Sequence, residues 1–228
     1  MDLGTIISLI SQKGGVGKSA IARLLAVEFV RAGWSVKIAD LDTMQGTSTK
    51  WKLRRDAAKW QPEIPVEKFA TVARALREAE KYDLVLLDGP AHAEKGGLSM
   101  AKKSKLILMP TCYGLDDLEA QIEAAYELEE NGIERSRIWF IFSRTSGSAN
   151  EEQTAREYLQ RSEINVLEPV LPELPSIRQG HSGGKAASEV NFPAIRERAM
   201  ALAVAVATKL QELADIEPEP AQTSVEAA

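Results

Sequence analysis

The amino-acid sequence predicts a single α/β domain whose mostly parallel, twisted sheet carries helices on both faces. Three observations lead there. The chain has 228 residues, 44% hydrophobic and 27% charged, which is enough for one globular core and too apolar for a disordered or fibrous protein. Short apolar runs of strand length alternate with longer segments whose apolar residues are spaced for one helix face, the pattern of parallel strands joined by crossover helices. No repeat of fixed period and no linker-like stretch interrupts the alternation.

Residues 5–10, 35–39, 82–87, 104–109 and 137–142 have strand length with a β-branched or aromatic bias, and read as the core strands. Residues 18–32, 72–81, 115–131 and 150–161 read as helices, with Gly33 and Gly132 where carboxy-terminal caps belong. A short strand is expected at 165–170 and a last helix at 193–214. Between them 176–189 has helical character, but His181-Ser-Gly-Gly184 weakens it and points to a hinge. The domain is expected to span 1–214. Residues 215–228, with Glu217-Pro-Glu-Pro220, lack periodicity and read as a disordered acidic tail.

Composition excludes several classes. Cys112 is the only cysteine, so no intrachain disulfide and no cysteine-held cluster can form, and a reducing cytoplasm is expected. The longest apolar run, from Ala199 to Ala207, is far below the roughly 20 residues of a membrane span. Asp2 stands where an export signal would be basic, so neither a leader nor a membrane partner is expected. Net charge is −5, but four acidic residues lie in the tail, leaving 28 basic against 29 acidic groups in the body. A body so near neutrality can still carry a small basic face.

The chemistry begins where the first strand runs into Ser11-Gln-Lys-Gly-Gly-Val-Gly-Lys-Ser19 and then into a helix. Gly14, Gly15 and Gly17 let successive backbone N–H groups converge on phosphate oxygens, and the helix amino terminus adds partial positive charge. Val16 and Ala20 belong to the same expected cofactor-binding set, Lys18 supplies a full charge, and the Ser19 hydroxyl can ligate Mg²⁺. Gln12 stands in place of the first glycine of the common G-x-x-x-x-G-K-S form, and Lys13 leaves the strand from the other limb of the loop. A cation there is either a solvated loop lysine or a group that completes a partner subunit's site.

Lys13-Gly-Gly-Val-Gly-Lys-Ser19 resembles the deviant Walker A motif of the ParA/MinD group of P-loop ATPases. The resemblance extends from residue 4 to about 212, and within the family the chain is most similar to small ParA-type partition ATPases. It implies a P-loop NTPase fold, ATP and Mg²⁺ as cofactors, slow hydrolysis, and a dimer that sandwiches ATP, with Lys13 contacting the partner's nucleotide.

Asp40-Leu-Asp42 ends the second strand and resembles the family's D-x-D-P-Q-G-S segment, in which the second aspartate, here Asp42, serves hydrolysis. The family's proline is missing, and Asp40 reads as a brace for the loop. Asp88, ending an apolar strand before Gly89-Pro90, would be costly to bury without a cation or donors and resembles the Walker B aspartate that reaches Mg²⁺. Lys13, Lys18 and Asp42 are thus the expected catalytic residues, and Ser19, Asp42 and Asp88 the expected metal-site residues. Asp117 stands where the family often has an aspartate. Phe142-Ser-Arg144 and Pro172-Glu-Leu-Pro175 resemble the segments flanking adenine, which makes Arg144, Pro172 and Pro175 base-site candidates beside ordinary loop packing.

The same resemblance implies non-specific DNA binding by the dimer, stimulation by a ParB-like or other cargo adaptor, and residence on the nucleoid. Arg178, Lys185, Arg196 and Arg198 are the DNA-contact candidates. A second cluster, Lys50, Lys52, Arg54, Arg55 and Lys59 with Trp51 and Trp60, is a candidate partner or dimer face. His92 and His181 have no ligand-spaced companions, and Cys112 reads as a small buried group. The alternatives are a MinD-like positioning ATPase, expected to end in a basic amphipathic helix, and a ligase of the dethiobiotin-synthetase type, expected to show a metabolite pocket.

Overall fold

The computed structural model describes residues 4–90 and 94–216. Seven parallel strands form one sheet: β1 (Thr5–Leu9), β2 (Val36–Asp40), β3 (Val66–Lys68), β4 (Leu84–Asp88), β5 (Leu106–Thr111), β6 (Ile138–Thr145) and β7 (Leu171–Pro172). Between them run α1 (Lys18–Arg31), α2 (Thr47–Ala57), α3 (Val72–Leu76), α4 (Glu94–Ala101), α5 (Leu115–Glu130), α6 (Ala149–Arg161) and α7 (Pro175–Ser182), and α8 (Pro193–Ile216) follows. The strand order is β3-β2-β4-β1-β5-β6-β7. From β1 the chain builds one side of the sheet through β4, then crosses to the other side for β5 to β7. In open α/β sheets the crevice beside such a reversal, outside the carboxyl strand ends, is where ligands bind.

Alternation along each strand explains the two layers. Ile7, Leu9, Leu84, Leu86, Leu106 and Leu108 face a core under α1, α2 and α8, whereas Ile6, Val85, Leu87, Ile107 and Met109 face the core shared with α5 and α6. Every one of these side chains is buried. At roughly 1.5–3 kcal/mol for each fully buried aliphatic side chain, the two cores hold the carboxyl ends of β1, β2 and β4 in fixed register, with Asp40 and Asp88 paired across β2 and β4.

The five core strands fall where the sequence places them, but several elements differ. The segment 165–170 is not a strand: Val166 makes one bridge to Phe140, and the ladder to β6 begins only at Leu171. The helix expected at 72–81 stops after Leu76, followed by a single 3₁₀ turn at Ala79–Lys81. α8 continues to Ile216, two residues past its expected end, so Asp215 is helical. The rest of the expected tail, like His92, lies outside the described residues. β3 and α2 were not expected. α2 is mainly polar, and its inward stripe is Ser48, Trp51 and Arg55, so hydrophobic periodicity does not reveal it.

Trp51 and Arg55 are fully buried, which removes them from the partner face proposed for their cluster. Trp51 Nε1 donates to the Lys185 carbonyl at 3.0 Å, and Arg55 grips Glu189 through Nη1 and Nη2 at 2.7 and 2.9 Å. The glycines expected to form a hinge serve this contact instead. Gly183 caps α7, and Gly184, at φ +80°, approaches α2 so closely that a Cβ would lie 2.5 Å from the Arg55 nitrogen.

Candidate functional site

The loop after β1 and the amino end of α1 open onto a cleft of about 440 Å³ at the carboxyl edge of the sheet. Gly14, Gly15, Gly17, Lys18, Ser19 and Ala20 line it on one side, while Val16 is buried beneath. Gly17, at φ +105°, is the residue before α1, and a Cβ there would strike the Ser143 hydroxyl at 2.2 Å, so no other side chain fits.

Lys18 is buried, and its ammonium donates to the Lys13 carbonyl at 3.3 Å, tying the two limbs of the loop together. Burial pulls its pKa down, while Asp88 and Asp42 push it back up. Lys13 turns the other way. Its ammonium pairs with Asp117 Oδ1 at 2.7 Å, and that hydrogen bond holds its pKa above the usual value.

Three aspartates differ sharply in what they do. Asp40 braces the turn: Oδ1 accepts from the Asp42 amide at 3.2 Å, and Oδ2 accepts from the Thr49 amide at 2.9 Å and hydroxyl at 2.8 Å. Asp42 lines the cleft, with Oδ1 accepting from the amides of Met44 and Gln45 at 3.2 and 2.8 Å. Asp88 is buried at the end of β4, where desolvation raises its pKa and the nearby Ser48 and Ser19 hydroxyls oppose the rise. The Ser48 hydroxyl donates to its Oδ2 at 2.6 Å, but buried Oδ1 has no partner. An orphaned carboxylate oxygen beside the Ser19 hydroxyl is the donor set a Mg²⁺ ion takes when it keeps most of its waters and binds phosphate as well. Among the described residues, no group of three or more His, Cys, Asp or Glu converges on a metal cage.

The far wall comes from the ends of β6 and β7 and from α7. Arg144 adopts a left-handed conformation at φ +56°, and its guanidinium donates to the Gly15 carbonyl and to Glu173, fastening the loop to this wall. Pro172 lines the cleft, whereas Pro175 opens α7 and is not among the lining residues. Arg178, grouped above with the DNA candidates, is on this wall too, with Nε 3.5 Å from Glu173 Oε1. Lys185 and Arg196 instead share a separate groove with Trp60, whose ring lies 4.4 Å from the Lys185 ammonium. Arg198 is exposed on α8. Cys112 is half-buried, its thiol 3.4 Å from the Ser143 carbonyl and pushed up in pKa by burial.

Four residues of the site were not singled out for it by the sequence: Arg23, Ser48, Glu173 and His181. Arg23 had a signal, since it is the one charge in Ile21-Ala-Arg-Leu-Leu-Ala-Val27, a segment otherwise apolar and here wholly buried. Its guanidinium lies 5.6 Å from the Trp51 ring centre and lines the cleft. A desolvated cation–π contact offsets about 2 kcal/mol, less than the several kcal/mol that burying an unpaired ion costs. Ser48, Glu173 and His181 carried no local signal.

A glycine-rich loop ending in Lys-Ser at a helix amino terminus, with a buried aspartate at the end of the adjacent strand, defines a nucleotide-binding α/β domain. The model of the CobQ/CobB/MinD/ParA nucleotide binding domain matches residues 7–185, and the chain belongs to that family. No curated protein matches it. Solved structures share the fold at low identity. Pyrococcus furiosus cell division ATPase MinD is 20% identical, covering 90% of this chain and 99% of its own, with a TM-score of 0.71. An ATP complex of a Cyanothece McdA variant is 14% identical over 91% and 98%, with a TM-score of 0.69. A candidate plasmid partition protein of Borrelia burgdorferi B31, bound to AMPPNP, is 16% identical over 90% and 99%, with a TM-score of 0.66.

Proposed function

We propose that this chain is a ParA/MinD-type positioning or partition ATPase that binds ATP with Mg²⁺, dimerises around it, holds DNA non-specifically and is released when a partner protein stimulates hydrolysis. The observation that carries the reading is the buried, unpartnered Asp88 Oδ1, next in sequence to Gly89 of the cleft wall and beside Ser19 and Lys18, which line the cleft.

In this reading the loop amides and Lys18 hold the phosphates, with the ammonium already oriented by the Lys13 carbonyl. Ser19 and Asp88 would hold Mg²⁺, which offsets charge on the phosphates when bound. Asp42 orients the attacking water. Its Oδ1 is committed to the turn, and no hydrogen bond engages Oδ2 among the described residues. Lys13 leaves Asp117 to reach the nucleotide of a second copy. Arg144 and Pro172 flank the base, with Arg178 beside them, while Lys185, Arg196 and Arg198 are the DNA candidates, whose phosphate contacts would weaken steeply with salt. Among the described residues no helix is long and apolar enough to cross a membrane.

The test is phosphate release from ATP by the chain alone, with duplex DNA, with anionic vesicles and with carboxylated metabolites, alongside sizing in a non-hydrolysable ATP analogue. Dimerisation with the analogue and turnover raised by DNA are expected. Turnover that depends on a metabolite would replace the reading with a ligase, and binding to vesicles rather than DNA would replace it with a membrane-positioning ATPase.

A further inference from the structure

Arg23 is 3% exposed, yet among the described residues it makes no hydrogen bond and no ion pair, and its Nε and Nη2 are buried without a partner. Asp88 and Asp40 attract it from beyond ion-pairing distance, while Arg54 repels it. Burial lowers its pKa to about 10, so it stays charged at neutral pH. It lies one helical turn after Ser19 on α1, on the same helix face. Long side chains on a helix lean toward its amino end, which here is the phosphate end. Across the cleft, His181 presents a second buried and unpartnered nitrogen, Nε2, with its pKa pushed down to about 3, so the imidazole is neutral and supplies no counter-charge. In this cleft, lined also by Asp42, Arg144, Glu173 and Arg178, Arg23 is a buried cation that no acid meets within ion-pairing distance among the described residues.

We propose that Arg23 is a ligand-binding residue of this cleft, whose guanidinium takes a phosphate oxygen of the bound nucleotide on the nucleoside side of the phosphate loop. Nε and Nη2 form the edge that grips a phosphate or carboxylate through two parallel donors, and because both are buried in this ligand-free structure the side chain must turn toward the cleft to use them. Lys18 serves the phosphates from the loop, and Arg23 serves the one nearest the sugar from the flank of α1. The proposal rests on the nucleotide reading above and adds a residue that the loop motif does not contain.

The experiment is calorimetric titration of the full chain, Arg23→Met and Arg23→Lys with Mg-ADP, AMP, adenosine and inorganic phosphate, together with melting of each ligand-free protein. Arg23→Met should bind Mg-ADP and AMP roughly ten- to hundredfold more weakly, the scale of a lost charge-assisted hydrogen bond, and adenosine unchanged. Arg23→Lys should recover part of the loss. Ligand-free Arg23→Met should melt no lower than the parent, because it removes a buried charge that nothing pairs. Parent and Arg23→Met binding Mg-ADP equally would overturn the proposal and leave the nucleotide reading standing. A parent that binds no nucleotide would end both. Loss of inorganic phosphate binding with nucleotide affinity intact would overturn it in favour of a free phosphate site, and a lower melting point with unchanged affinities would make Arg23 a core cation only.

Discussion

Two guanidiniums approach the ring of Trp51, Arg55 at 5.1 Å and Arg23 at 5.6 Å, and their surroundings could hardly differ more. Arg55 is locked to Glu189 by two hydrogen bonds and to the carbonyls of Pro62 and Gly184 by two more. Arg23, on the cleft side, has the ring but no hydrogen bond or ion pair among the described residues, with Asp88 and Asp40 attracting it only from farther off. The same chemical group thus serves one region as a rivet joining α2 to the segment before α8, and leaves another region with charge unspent. Burial alone does not tell a structural arginine from a ligand-binding one; the accounting of its donors does.

The largest effect expected from breaking this contrast is on the paired side. Arg55→Ala removes a fully buried guanidinium and its four hydrogen bonds, leaving Glu189 only Arg31 at 3.2 Å as a charged partner, and should destabilise the protein by about 3 kcal/mol, read by denaturant unfolding. If the loss matched that of Arg23→Met, the distinction between the two arginines would fail. Next comes Lys18→Ala, which removes the buried cation of the loop and should weaken Mg-ADP binding by roughly 10- to 150-fold in titration, with the fold intact by circular dichroism.

His181 sharpens the cleft side. Its folded pKa, about 3, is below the ordinary histidine value of 6.5, so between these values the unfolded chain binds a proton that the folded protein refuses. The stability it contributes is present above pH 6.5 and is lost as pH falls toward 3. His181→Asn should flatten that part of the profile in melting experiments across the range, whereas an unchanged slope would mean that the imidazole is not buried beside a cation. The smallest effect on stability is expected at Lys13, whose exposed pair with Asp117 should leave the melting temperature unmoved in Lys13→Ala. The same variant should lose ATP-dependent dimerisation on a sizing column, and a normal dimer would remove Lys13 from the interface.

Much of the phosphate end was legible because its chemistry is local. Lys18, Ser19 and the glycines of the loop need only a strand before and a helix after, and both have strong signals. Asp88 was legible as the acidic end of an apolar strand. The α7 end was not. Ser48 and Arg55 are buried polar residues on a polar helix, invisible to a search for hydrophobic stripes, and Glu173 and His181 reach the cleft only because β7 pairs with β6 and α7 packs beside α2. β3 was missed because three residues, Val-Glu-Lys, carry too little apolar signal to stand out.

What the order of residues determined by itself is the alternation of strand and helix, the loop between β1 and α1, and the carboxylates at two strand ends, since each depends on neighbours within a few positions. Which charges would be answered and which left open was decided only in three dimensions. Arg55 found Glu189 from 134 positions away while Arg23 met no acid at ion-pairing distance among the described residues, because counter-ions are supplied by chain packing, and packing is set by the whole sheet rather than by any single segment.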